Sequence, residues 1–158
     1  MKSSFMTGLS FGSTSGVITT LGLMVGLQAG TNSKLVVIGG ILTIAIADAF
    51  SDALGIHFSE EAEGEHTTRE IWESTIYTFL AKFIFAVSFL IPLMIFSLSI
   101  AVIISIIYGL LLLGIFSFLM ARDQKVSPIM VVSEHLIIAL IVVVLTHYVG
   151  DTIQKYFS

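Results

Sequence analysis

The sequence predicts an all-α integral membrane protein, a single domain of five transmembrane helices spanning residues 1–158. Three observations carry this. Of 158 residues, 56% are apolar and only 11% charged, with a mean hydropathy of +1.01, whereas a soluble domain carries about 25% charged residues. The apolar residues fall into five stretches, each long enough to cross about 30 Å of hydrocarbon. The charges gather in the short segments between those stretches.

The first span is expected at about residues 8–30 and the second at 35–58, joined by a Gly-Thr-Asn-Ser-Lys turn. A polar, acidic loop at 59–73 follows. The third and fourth spans, 75–95 and 100–120, are separated by a short break at Ser97 and Ser99. A loop with Arg122, Asp123 and Lys125 leads to the fifth span, 128–150, which opens on Pro128, a favoured first-turn residue. Five spans place the termini on opposite sides. Lys2, Arg69, Arg122 and Lys125 fall on one side, Lys34 and Lys155 on the other. Lys82, near the start of the third span as drawn, is expected to snorkel toward the first side. This bias places the N-terminus and the acidic loop in the cytoplasm. The expected setting is a multi-pass protein of a prokaryotic cell membrane rather than an organelle.

The second span carries two carboxylates, Asp48 and Asp52, four residues apart. On a helix they share a face. At about 100° per residue, Ser51, Gly55 and Ser59 join that face, and His57 points away. An acid near a helix centre costs about 2.5–3.5 kcal/mol to insert, so two on one face point to a cation or proton site turned to a partner helix or wet cavity; a pair of structural acids bonded to neighbouring hydroxyls is the alternative. Such a pair needs a positive charge or a proton beside it.

Gly8, Gly12, Gly16, Gly22, Gly26 and Gly30 form two Gly-x3-Gly-x3-Gly runs in the first span. They fall within roughly 120° of arc at helical spacing, together with Ser15 and Thr19. A small-residue face allows close helix approach and favours dimers. The expectation is a homodimer with Gly8, Gly12, Gly16, Gly22 and Gly26 at its interface; packing against another helix of the same chain is the alternative.

Glu60, Glu61, Glu63, Glu65 and His66 form an acidic stretch suited to loose collection of Mn²⁺, Fe²⁺ or Zn²⁺, or equally a solvated turn. If the second helix runs past Phe58, Glu60 and Glu63 lie on its flank below Asp52. Glu134 reads as a helix-start residue. His147, with Tyr148, reads as an interface anchor; an ion pair or proton exit formed with Asp151, four residues on, is the alternative. The methionines read as packing. The absence of cysteine excludes disulfides and thiolate metal sites. The net charge of −4 is concentrated in one loop, which argues against a nucleic-acid surface. There is no phosphate loop, no His-Glu-x-x-His and no nucleophile elbow, so neither enzymatic nor ATP-driven chemistry is expected.

Four segments resemble the vacuolar iron transporter family. Phe11-Gly12-Ser13-Thr14-Ser15-Gly16-Val17-Ile18 is similar to its Gly-x-Asn-Asp-Gly-Leu-Val opening. Ala47-Asp48-Ala49-Phe50-Ser51-Asp52-Ala53-Leu54-Gly55-Ile56-His57-Phe58-Ser59 is similar to its Ala-Gly-Ala-x-Ser-Met-Ala-x-Gly-Glu-Tyr-x-Ser segment. Ser88-Phe89-Leu90-Ile91-Pro92-Leu93 and Thr146-His147-Tyr148-Val149-Gly150 resemble later helices of the family. The family's first-helix Asp aligns with Ser15, its second-helix Met with Asp52 and its Glu with Ile56. The long cytosolic metal-binding insert of the eukaryotic members has no counterpart. The resemblance implies export of Fe²⁺ or Mn²⁺ from the cytoplasm in exchange for protons, with no resident cofactor. The expected ion site is Asp48, Asp52, Ser51, Ser15, Glu60 and Glu63, with Glu61, Glu65 and His66 in a collecting loop. The alternatives are a transporter of another small cation and a non-transporting membrane assembly protein that keeps the fold.

Overall fold

A computed structural model describes residues 2–157, with side chains from residue 4. The elements are α1 (Lys2–Thr31), α2 (Lys34–Glu63), α3 (Thr68–Ser88), α4 (Leu90–Ile95), α5 (Leu98–Asp123) and α6 (Pro128–Phe157). There is no strand among the described residues. α3 and α4 act as one span, Thr68–Ile95, so five helices are long and apolar enough to cross a bilayer. This is the architecture of a multi-pass, all-α membrane protein. The interruption at Phe89 precedes Pro92, whose ring clashes with the carbonyl four residues back and whose nitrogen cannot donate.

α1 lies at the centre and touches α2, α3, α5 and α6. Its Val17, Leu21, Met24 and Val25 form the core with Val37 and Ile41 of α2, Phe89, Leu93 of α4, and Ala101, Val102 and Leu113 of α5. The glycine face is what lets α1 occupy this place. A methyl group added at Gly8 would lie 2.5 Å from the Ser74 carbonyl oxygen, and one at Gly12 the same distance from that of Thr78. One at Gly16 would lie 3.1 Å from the carbonyl oxygen of Lys82. Further along, Gly22 meets Val142, Gly26 meets Thr146 and Gly30 meets Gly150. The first glycine run therefore seats α3 and the second seats α6, both in the same chain. This corrects the expected homodimer interface at Gly8, Gly12, Gly16, Gly22 and Gly26: the face is already filled.

Gly12→Ala should accordingly lower stability by roughly 1–3 kcal/mol, the usual cost of overpacking. Gly114→Ala in α5, where nothing lies within 4 Å of the added carbon, should leave it unchanged or raised. Thermal unfolding in detergent distinguishes the two.

The acidic segment is also more helical than expected. α2 runs on to Glu63 and ends at Gly64, whose φ of 68° is the left-handed cap that glycine adopts without strain. α3 begins four residues later on a capping box: Thr67 N–H donates to Glu70 at 3.0 Å, and Glu70 N–H donates to the Thr67 hydroxyl at 3.4 Å. The expected loop 59–73 shrinks to the few residues between Glu63 and Thr68. At the opposite end Lys34 Nζ donates to the Phe96 carbonyl at 3.0 Å, satisfying the end of α4.

Candidate functional site

The earlier start of α3 changes the position of Lys82. It sits fourteen residues from Thr68 and thirteen from Ile95, about 21 Å along the helix from its start. A lysine side chain cannot reach the surface from there. Its side chain is 2% exposed, so the expected snorkelling is corrected to burial at mid-span. The ammonium has three N–H groups, and the structure gives it three partners: Asp48 at 2.5 Å, Asp52, and the Ser15 hydroxyl at 2.9 Å. Ser15 in turn donates to Asp52 at 2.6 Å.

The helices bring this cluster together for simple reasons. Asp48 and Asp52 are one turn apart on α2 and both reach α3. Gly16 lets the backbone of α1 come against Lys82, which places neighbouring Ser15 within reach of the same ammonium. Each member lies near the middle of its span. Two carboxylates and one ammonium leave a net charge of −1 far from water. The positive charge that the acid pair requires is thus supplied by the chain itself.

The two acids are not equivalent. The Asp52 side chain is 20% exposed and Asp48 32%. Asp48 opens onto a groove of about 410 Å³ lined by Thr19, Leu23, Ile44, Ala47 and Ser51. A cleft of about 800 Å³ at the opposite end of the cluster, where α1 begins, reaches inward to Thr14 and Ile56. Thr14 adjoins Ser15, and Ile56 is one turn from Asp52. Open space therefore approaches the cluster from two directions.

The other expected site residues are dispersed. Ser51 is exposed beside Asp48 in the groove. Glu60 is buried, and Ser74 donates to it at 2.5 Å. Glu63 is exposed and faces His66 at 3.4 Å. Glu61 and Glu65 are exposed. Among the described residues no three or more His, Cys, Asp or Glu side chains converge as metal ligands. The expected ligand set of Asp48, Asp52, Ser51, Ser15, Glu60 and Glu63, and the collecting loop of Glu61, Glu65 and His66, are thus corrected. Only Asp48, Asp52 and Ser15 meet, and they meet around Lys82. His57 lies on the other side of α2, against Thr75 and Trp72. His135 pairs with Ser117 at 2.7 Å, and His147 faces Asp151 at 3.4 Å on a half-exposed surface.

Lys82 is the member of this cluster that sequence reasoning missed. The signal was present: Thr67-Thr68-Arg69-Glu70 has the spacing of a capping box, and starting the helix there places Lys82 at mid-span. Fold and site together define a multi-pass helical membrane protein with a charge-compensated polar cluster in its interior. Comparison with family models, curated proteins and solved structures finds no match to this chain.

Proposed function

We propose that this protein is a proton-coupled cation transporter in which the transported ion and the Lys82 ammonium compete for Asp48 and Asp52. The observation that carries the reading is the buried lysine held between two carboxylates at mid-span, a costly arrangement that membrane proteins keep for ion and proton pathways. The donors around it are all oxygen, which suits hard or borderline cations such as Mn²⁺. The choice of Fe²⁺ or Mn²⁺, and export from the cytoplasm, rest on the family resemblance.

The charge balance suggests the coupling. A divalent ion added to two carboxylates and an ammonium would leave +1 in a poorly solvated place. Release of the Lys82 proton brings the site to zero. Binding of the ion on one side and return of the proton from the other then exchanges the two. In liposomes, wild type should carry Mn²⁺ and move protons the opposite way, while Asp52→Asn should carry neither.

The specific observation favouring a second reading is that Lys82 already uses all three of its N–H groups. On that reading the cluster is a packing staple and the protein transports nothing. Liposomes containing wild type would then be no more permeable to Mn²⁺ than empty ones.

The partially exposed Asp48 also supports a homodimer, now through α2. Gly39, Thr43, Ala47, Ser51, Gly55 and Ser59 make an exposed stripe of small residues at four-residue spacing, a surface suited to close helix pairing. A second copy seated there would cover the flank of Asp48 that lipid would otherwise meet. Gly55 has nothing within 4 Å, so Gly55→Leu should leave the protomer intact and convert dimer to monomer. An unchanged mass in mild detergent would count against this seam.

A further inference from the structure

A polar line continues from the charged cluster toward the end where α1 begins. On α3, Ser74, Thr78 and Lys82 are spaced by four, and all are fully buried. Each packs against one glycine of α1, in the order Gly8, Gly12, Gly16. On α2, Glu60 lies two turns beyond Asp52 and is 6% exposed, bonded to Ser74. Between Glu60 and the cluster stands Thr78, whose hydroxyl makes no hydrogen bond. Thr14, Thr19, Thr75 and Thr146 each donate to the carbonyl four residues back, whereas Thr78 shares its unbonded state with the buried Thr20 and Ser105. The buried hydroxyl of Ser4, one turn before Gly8, is likewise unbonded. Buried polar groups are ordinarily satisfied, and an unsatisfied one calls for an explanation.

We propose that Glu60 is the outer station of a proton relay that runs through Thr78 to Asp52 and Lys82. Protonated Glu60 gives its proton toward the Thr78 hydroxyl, which passes its own hydrogen on to the Asp52 carboxylate. Glu60, left ionised, is reprotonated from the aqueous end. Measured along the helix axes each step covers about one turn, roughly 6 Å, so the relay requires one bridging water on either side of Thr78. Glu60 is suited to the part because the charged groups near it are otherwise engaged. Glu70 is bonded to Thr67, Glu73 to Arg69 and Glu63 to His66. α2 adds the exposed Glu61, and α1 has no ionisable side chain from residue 4 to residue 14. The relay deepens the transport reading: run in reverse, it is the route by which the proton returned to the cluster from the opposite side leaves toward the end where α1 begins.

The test uses the full chain in lipid nanodiscs. After a pH jump, time-resolved infrared spectroscopy follows the carboxylate bands that Asp48→Asn and Asp52→Asn identify. Glu60→Gln and Thr78→Val should each slow the arrival of the proton at the aspartates by roughly a hundredfold, the usual range for removing a positioned proton carrier. The final aspartate bands should be unchanged, and Glu60→Asp should recover part of the rate. Thr78→Val keeps the shape of the side chain and removes only the hydroxyl, so the test survives if Glu60→Gln folds poorly. Wild-type rates in both variants would overturn the relay, even if wild type transports Mn²⁺. Slow protonation in the variants with no Mn²⁺ flux in wild type would support the relay and defeat the transport reading instead.

Discussion

Lys82→Met should be among the most damaging single substitutions in this protein. Methionine matches the length of the lysine stem and packs well, so the loss is that of the charge. Without it, Asp48 and Asp52 face each other one turn apart with Ser15 as the remaining partner. Removing one member of a buried ion pair typically costs about 3–5 kcal/mol, because the other is left uncompensated. For a chain of this size that lowers the unfolding temperature by on the order of 10 °C. The double variant Lys82→Met/Asp52→Asn should recover part of this loss, and the triple variant that also carries Asp48→Asn should recover most of it. Replacing every member of a buried charged group is often nearly neutral, whereas breaking the group is not. If Lys82→Met alone melts like wild type, the cluster seen here does not hold the helices together.

Much of this architecture is legible in the sequence. Span count follows from hydrocarbon thickness, the break at Ser97 and the start at Pro128 follow from local chemistry, and the shared face of Asp48 and Asp52 follows from spacing. Partners are harder to read than faces. The glycine runs of α1 announce that something approaches closely, yet they do not say whether it is α3, α6 or a second copy. Lys82 is hidden by a boundary error: hydropathy starts the third span where the apolar residues begin, but the helix starts at the Thr67 cap. Glu60 is half legible: a second helix continued past Phe58 places it below Asp52, but spacing alone does not tell that it is buried against Ser74 while Glu61 and Glu63 stay exposed.

The second large effect concerns Asp52, which holds both Lys82 and Ser15. Asp52→Asn keeps the shape and one hydrogen-bonding oxygen but removes the charge that a transported cation needs. Mn²⁺ flux into liposomes should fall to the level of protein-free vesicles. Ser15→Ala removes only a hydrogen bond to a charged group, worth about 1.5–3 kcal/mol, and should retain measurable flux. Asp48→Asn should also abolish transport while perturbing the fold less, because Asp48 is the more exposed of the two acids. Equal flux in Asp52→Asn and wild type would move the ion path away from this cluster.

The competition between cation and ammonium is tested most directly by proton release on binding. Lysine can surrender its proton to admit a cation; arginine stays charged in proteins while still pairing with carboxylates. Mn²⁺ added to the purified, weakly buffered wild type should therefore release protons in step with its binding, read with a pH-sensitive dye alongside isothermal titration. Lys82→Arg should fold, bind Mn²⁺ far more weakly and release no protons. Binding by wild type without proton release, or identical binding and release in Lys82→Arg, would contradict the displacement of Lys82 by the transported ion.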